Sequence, residues 1–555
     1  MASRKILKKI ASLLAAEKGT IHKEPGGKVN VCLVYPNTYH IGMSSLGFQG
    51  IYTLLNERHD VVCERAFLPD EGDREEYIRT GTEIFSMESG RPLNRFQIVA
   101  FSVSFENDYP HIPAILAMSK IPFRREERSG NHPLLVVGGV CASFNPEPIA
   151  DFFDVCFIGE AEETLPEFIE AFRHSDGRED LLARVDGIEG LYLPGLYTVS
   201  YSDGRIADRT ASGSAPERVK RRFVRDISSH SFRQSIITPE TEFSSMYLLE
   251  AMRGCPWSCR FCVAGSVYKP VRKKDPATLT REIRDSRSVT ARVGLIGPSL
   301  TDYPPIRDVL CIDGVDFSIT SLRASPLSAE LIGFLKGHRS VSIAPESGTE
   351  RLRRVIDKRI TEEDILETSR LILSAGVDNL RLYFMVGLPT EDEQDIEGII
   401  TLVRKIRDGT PRGNIVLTLS TFVPKPFTPF QWHPMEKAEV VKRRLHTIKK
   451  ALIPVKGVKV FHDVPKYAYM QGLFARGDRR VSRVLEGMAD NHDWQNACKK
   501  AGLNADFYLF TQRELGEILP WDFIDNGISK DRIWSEYQKA IAGGRGWETI
   551  RSSKG

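Results

Sequence analysis

Arg253-Gly-Cys255-Pro-Trp-Ser-Cys259-Arg-Phe-Cys262 sets three cysteines at C-x3-C-x2-C spacing. The run follows an apolar stretch that begins at Met246, so the thiols fall on the loop leaving a predicted strand. Three thiolates on one short loop suit three irons of a [4Fe–4S] cube and leave the fourth iron open. Gly254 permits a tight turn out of the strand, and Pro256 stiffens it. Phe261, just before the last cysteine, offers an aromatic face to a planar ligand. A structural zinc site needs a fourth Cys or His, and the nearest histidines in sequence are His230 and His338. A ferredoxin-type site wants a fourth cysteine in local register, whereas Cys311 is distant.

Outward from this loop, apolar strands are predicted to end near Arg253, Pro298, Arg323, Glu346, Gly387 and Pro424, with helical stretches between them. Six such units in about 200 residues predict an incomplete parallel (β/α)6 barrel, with its chemistry at the carboxyl ends of the strands. Upstream, Val29 to Tyr35, Val61 to Phe67, Ile98 to Ser104, Leu134 to Gly138 and Val155 to Ile158 read as buried strands separated by helices. That alternation predicts a doubly wound parallel sheet, which binds ligands beyond its strands' carboxyl ends. Ser202-Asp203-Gly204 marks a hairpin turn between Leu196–Tyr201 and Arg205–Arg209. The predicted organisation is an N-terminal helix at 1–24, the doubly wound domain at 25–215, a linker at 216–240, the partial barrel at 241–450 and a helical C-terminal domain at 451–555. Trp494, Trp521 and Trp534 are its expected anchors, and the last dozen residues are expected to fray.

The 555 residues are 41% hydrophobic and 27% charged, the composition of a globular α/β chain of about two to four domains. Lys+Arg 76 against Asp+Glu 73 gives +3, so any nucleic-acid surface must be a local patch. No window approaches the ~18 apolar residues of a membrane span. The N-terminus reads as an amphipathic helix carrying Ile6, Ile10, Leu13 and Leu14, docked on the body of the protein rather than serving as a leader. Nine cysteines, three of them crowded together, do not form a secreted disulfide framework, and the chain reads as cytoplasmic.

The cysteine motif, its place after the first strand of an incomplete barrel, and Phe261 together resemble the radical S-adenosylmethionine enzymes. The resemblance implies a [4Fe–4S] cluster whose open iron chelates S-adenosylmethionine, and an electron donor such as flavodoxin or ferredoxin. Reduction then yields a 5′-deoxyadenosyl radical that abstracts hydrogen from a substrate. Ser340 to Thr349 is similar to the family's fourth-strand segment, which carries a cofactor-contacting role to Glu346 and, as a second candidate, Ser347. Arg323 is placed to pair with the methionine carboxylate, and Arg381 in the fifth strand is its rival. Tyr383-Phe-Met-Val-Gly-Leu-Pro389 is similar to the fifth-strand motif, and Thr421-Phe422-Val423-Pro424 to the sixth-strand adenine contact. The second strand ends Gly294-Leu-Ile-Gly-Pro-Ser-Leu-Thr-Asp302 instead of the usual Gly-Gly-Glu, so Ser299 or Asp302 takes that position.

The preceding doubly wound domain resembles that of the cobalamin-binding subclass. A resemblance that spans nearly the whole chain is to a group of radical S-adenosylmethionine proteins with a cobalamin-binding-like domain. Those proteins share the Asn145-Pro-Glu-Pro148 and Pro424-Lys-Pro-Phe-Thr-Pro-Phe-Gln-Trp432 segments. Cobalamin is therefore an expected cofactor, with Tyr35, Ser102, Ser104, Gly138, Gly139, Gly159 and Glu160 as its expected contacts. No Asp-x-His-x-x-Gly element is present, and His40 reads as a polar loop residue rather than a cobalt ligand. The expected reaction is cobalamin-dependent methyl transfer to an unactivated carbon of a small molecule, RNA or protein. One alternative is a cobalamin-independent enzyme, RNA-modifying or similar to the methylthiotransferases, in which Cys32, Cys63 and Cys141 would be the ligands of a second cluster. The other is a non-catalytic iron–sulfur redox or scaffold protein. Basic runs at Lys269–Lys274, Arg351–Arg359, Lys442–Lys450 and Arg476–Arg483 read singly as solvated faces, and together as an RNA surface if they converge on the barrel mouth.

Overall fold

Five near-continuous apolar runs in the first third of the chain form a sheet buried on both faces, as such runs do in parallel sheets. A computed structural model of the chain describes residues 3–543, apart from 231, 320, 326–327, 329–330, 336–338 and 490–492. The tail expected to fray, 544–555, lies outside the described residues. Across the first sheet the strand order is Val61–Phe67, Val29–Tyr35, Ile98–Ser102, Leu134–Gly138, Val155–Phe157 and Leu191–Tyr192. All neighbours pair in parallel except the last two. The strand order reverses direction between Val29–Tyr35 and Ile98–Ser102, a switch point that leaves a crevice at their carboxyl ends. Tyr197–Ser202 and Arg205–Ala211 form the expected hairpin.

The N-terminal helix, Arg4–Ala16, buries Ile6 against this domain. Glu17, just past its end, bonds the buried Arg65 at 2.8 Å, and Arg65 also reaches Glu88 at 2.6 Å.

In the second half the expected barrel strands are Tyr247–Glu250, Arg292–Ile296, the pair Asp316–Ser318 and Ser321–Leu322, Ser340–Glu346, Asn379–Val386 and Asn414–Thr421. They pair in parallel within two sheets, the first running to Asp316–Ser318 and the second starting at Ser321–Leu322. A seventh strand, Val458–His462, extends the sheet beyond the six expected, in a stretch read from sequence as helical. One face of these strands packs Val341, Ile343, Leu382, Phe384, Leu417 and Leu419 against the surrounding helices. Helix Glu393–Gly409 starts at a reciprocal Asp392/Asp395 capping box. It lies so close to the turn after Ser340–Glu346 that a Cβ on Gly348 would fall 2.0 Å from the Ile399 nitrogen.

Beyond the barrel the chain is mainly helical, as expected, from Pro465–Arg476 to Lys530–Ile541. Trp494 and Trp521 are buried, and Trp534 meets Trp432 edge-on at 4.9 Å. These helices fold back onto the first domain, where Asn145 donates to the carbonyls of Ala475 and Gly477 at 3.0 and 2.9 Å. Beside it Glu147, fully buried, accepts from Tyr192 at 2.6 Å and pairs with Arg209 at 2.9 Å and Arg479 at 3.2 Å. Burial alone would raise its pKa, but the two guanidiniums outweigh that and hold it at about 2. Its contribution to stability, about 3 kcal/mol, is therefore present above the ordinary carboxylate pKa and is lost as pH falls toward about 2. Denaturant midpoints measured from about pH 6 downward, above an unperturbed Glu, should show that loss. Glu147→Gln should be less stable at neutral pH and lose less on acidification.

Candidate functional site

The cysteine loop is pinched at its base, where Met252–Arg253 pairs antiparallel with Arg272–Lys273. Gly254 leaves this ribbon at φ +80°, and a Cβ there would lie 2.4 Å from the Tyr268 carbonyl, so the turn requires glycine. Arg260, inside the loop, donates to the carbonyls of Arg354 and Val355 at 3.1 and 2.9 Å and pairs with Glu536 at 3.0 Å. The loop is thus tied to the helix after the fourth barrel strand and to the C-terminal helix. Cys259 is buried, while Cys255 and Cys262 are half-buried, and all three are free thiols. Burial pushes each thiol up, while the N–H groups of Gly265 and Ala264 favour the Cys262 thiolate. Among the described residues no three His, Cys, Asp or Glu side chains converge as a single-ion site would require. The donor set fits a cube, in which each thiolate serves its own iron. Of the histidines considered for zinc, His230 sits 4.0 Å from Glu163, and His338 lies outside the described residues.

Side chains from three strand ends gather around this loop. Asp302 accepts from Trp257 Nε1 at 2.7 Å and from Ser299 at 2.6 Å. The Arg323 guanidinium lies 3.7 Å from the centre of the Trp257 ring and donates to the carbonyls of Lys358 and Arg359. Glu346 pairs with Lys358 at 2.9 Å, and the Lys358 ammonium stands 6.0 Å from the centre of the Phe261 ring. Glu346 holds φ +65° where the strand register shifts, a strained conformation of the kind found at ligand sites. Ser347 is buried, its carbonyl held by Arg353 at 2.8 Å. Phe422 is also buried, edge-on to Phe430 at 5.7 Å, with Val423 beside it in the packed core.

Arg381 is not part of this group. It lies deep in the barrel on the inner face of Asn379–Val386, exposed, with Nε donating to Ser340 Oγ at 3.0 Å. Reading the sequence missed two members of the group. Trp257 was visible inside the motif itself, whereas Lys358 was hidden in a basic run that read as a solvated face. Several arginines of those runs turn inward: Arg272, Arg353, Arg444 and Arg476 are buried, and Arg479 pairs with Glu147.

Against the cysteine loop, a cavity of about 670 Å³ opens at the carboxyl ends of the first domain's strands. Ser102, Ser104, Gly138, Gly139, Gly159 and Glu160 line it; Tyr35 does not, being buried edge-on to Phe48 at 5.6 Å. Its far wall includes Gly254 and Ala264 of the loop, and its apolar depth runs between the sheet and two helices past Ala100, Ile51 and Phe168. Gly139 and Gly159 hold φ +109° and +118°, and a Cβ on either would strike the Val103 or Arg222 carbonyl. Glu160 bridges to the barrel, 2.6 Å from Arg272 and 2.8 Å from Arg253. Cys32 and Cys63 belong to cores on opposite faces of the first sheet, which prevents them from ligating one cluster.

The family model described as "Radical SAM proteins, N-terminal" matches residues 47–194, and that described as "Radical SAM superfamily" matches 249–403. An uncharacterized protein of Methanocaldococcus jannaschii is 31% identical over 490 residues, covering 86% of this chain and 96% of that protein. The tRNA-2-methylthio-N(6)-dimethylallyladenosine synthase of Paracoccus denitrificans is 25% identical over 235 residues, 37% of this chain and 49% of that protein. Among solved structures, the cobalamin-dependent S-adenosylmethionine radical enzyme OxsB with aqua-cobalamin and S-adenosylmethionine bound is similar at a TM-score of 0.46 and 12% identity. That match covers 95% of this chain and 81% of OxsB.

Proposed function

The chain belongs to the radical S-adenosylmethionine superfamily, which implies a [4Fe–4S] cluster and S-adenosylmethionine, and from that premise we propose that it is a cobalamin-dependent methyltransferase acting at an unactivated carbon. The observation that carries the cobalamin assignment is the cavity between the first domain's strand ends and the cysteine loop. Its small residues at the mouth suit a broad flat cofactor, and its apolar depth suits the cofactor's tail. When bound, the cluster and S-adenosylmethionine supply the radical that opens the C–H bond, and cobalamin supplies the methyl group.

The protein binds, orients and excludes water. Cys255, Cys259 and Cys262 hold the cluster. Arg323, held over the Trp257 ring, would pair with the methionine carboxylate, and Asp302 with Ser299 would accept from the amino group. Glu346, held by Lys358, would contact the nucleoside. Phe261, Phe422 and Val423 keep the adenine side apolar. Ser102, Gly138 and Gly159 leave room at the cavity mouth.

The methyl-transfer step is testable without the substrate. Reduced holoenzyme given S-adenosylmethionine labelled in its methyl group should pass the label to bound cob(I)alamin and release S-adenosylhomocysteine, alongside 5′-deoxyadenosine. Ser102→Trp, which fills the cavity mouth, should lose the S-adenosylhomocysteine and keep the 5′-deoxyadenosine. Wild-type protein that yields 5′-deoxyadenosine alone would place the chain with the cobalamin-independent enzymes.

A further inference from the structure

The inner face of the barrel carries a pattern that the cofactor site does not use. Strand Asn379–Val386 turns Leu380, Leu382, Phe384 and Val386 to the helix layer, so alternation turns Arg381, Tyr383 and Met385 inward. On Asn414–Thr421 the inward residues are Val416, Thr418 and Ser420, and on Val458–His462 they are Lys459 and Phe461. Parallel register aligns Arg381 with Val416 and Lys459 in one row, and Tyr383 with Thr418 and Phe461 in the next. Two cations thus flank Val416, and two aromatic rings flank Thr418, one step nearer the cysteine loop.

These four large side chains are not packed away. Tyr383 and Phe461 are 37% and 57% exposed, and both cations are exposed. Among the described residues neither Arg381 nor Lys459 pairs with a carboxylate; Arg381 bonds only Ser340 Oγ. The interior of a closed barrel is normally filled with bulky branched side chains. Here the neighbouring inner-face residues are small: Ser342 aligns with Arg381, Thr418 lies between Tyr383 and Phe461, and Ser420 follows it toward the strand end.

We propose that this inner wall binds the substrate, a small molecule with a flat unsaturated ring and an anionic end. The ring lies over Thr418 between Tyr383 and Phe461, which stand about 10 Å apart at ordinary strand spacing. The anion, carboxylate or phosphate, is held by Arg381 and Lys459. From the cation row to the strand end at Val386 is about 16 Å, so the anchored end sits low and the ring points up toward the cysteine loop. Arg381 thereby becomes a substrate contact instead of a rival to Arg323. The inference deepens the proposed function and rests on it.

Calorimetric titration of the full-length, cluster-loaded protein with 2-naphthoate, 2-naphthyl phosphate and neutral 2-naphthol tests the assignment. Both anions should bind, and the tighter one identifies the anionic group. Arg381→Ala with Lys459→Ala should weaken both anions about tenfold or more and leave 2-naphthol unchanged. Tyr383→Ala with Phe461→Ala should weaken all three. Failure of either anion to bind, or equal binding by the fourfold variant, overturns the inference. So does binding of a single-stranded RNA oligomer that depends on these four residues while the naphthyl compounds fail. Iron and cobalt per chain on the same preparations report separately on the cofactors: lost cobalt with naphthyl binding intact overturns the methyltransferase reading alone.

Discussion

Cys255→Ala, Cys259→Ala and Cys262→Ala are each expected to purify with iron near background and to release no 5′-deoxyadenosine under reduction. Each cysteine supplies the single thiolate available to its iron, and cluster binding is coupled to the local structure that presents all three. The loop gives no substitute ligand: Cys141, buried in the first domain's core, is committed to packing. Cys311 is exposed and outside the motif, so Cys311→Ala should keep full iron content and cleavage. Iron analysis and product chromatography on the four variants decide the matter. Undiminished cleavage by any of the three motif variants would remove the motif from the chemistry.

The second large effect is on stability and falls on the joint between the two domains. Arg253 is nearly buried and reaches Glu160, Glu162 and Glu250 at 2.8, 2.8 and 2.7 Å. Burial disfavours its charge, but the three carboxylates more than offset that and raise its pKa well above the usual guanidinium value. Arg253→Met leaves those carboxylates buried with too few partners, and removing one member of a buried pair costs about 3–5 kcal/mol. Arg253→Lys should recover only part of the loss, since one ammonium does not reproduce the guanidinium fork. The contrast is Arg370→Met, which breaks an ion pair with Glu367 at 2.6 Å whose side chains are 52% exposed. That change should leave the denaturation midpoint nearly unmoved, since a solvent-screened surface pair contributes little. Chemical denaturation of the three variants provides the comparison, and equal losses for Arg253→Met and Arg370→Met would show that the joint bears no special weight.

Much of the frame is legible because strands buried on both faces are mostly apolar. Val29–Tyr35 and Leu134–Gly138 have the predicted bounds, and so does Val61–Phe67, although it buries Glu64 and Arg65 among its apolar residues. Val458–His462 is not legible for the same reason reversed: as the sheet's last strand it alternates Val458 and Val460 with Lys459 and Phe461, and five such residues beside a long helix carry little signal. The cysteine loop is readable because its spacing is local. Its charged surroundings are not, since Glu160 meets Arg272 across 112 positions and Glu147 meets Arg479 across 332. A basic run such as Arg476–Arg483 therefore reads as a solvated surface although Arg476 is fully buried. Alternation places Arg381 on the inner face, but its depth below the cofactor group depends on register with neighbouring strands, which a single sequence does not supply.

One chain is proposed to carry both a cluster and cobalamin across the cavity. Anaerobic purification with cobalamin supplied, followed by iron, sulfide and cobalt per chain alongside the visible spectrum, tests it most directly. The expected result is about four irons with a matching sulfide content, together with bound cobalt that Ser102→Trp fails to retain. About four irons with no cobalt in the wild-type protein would contradict it.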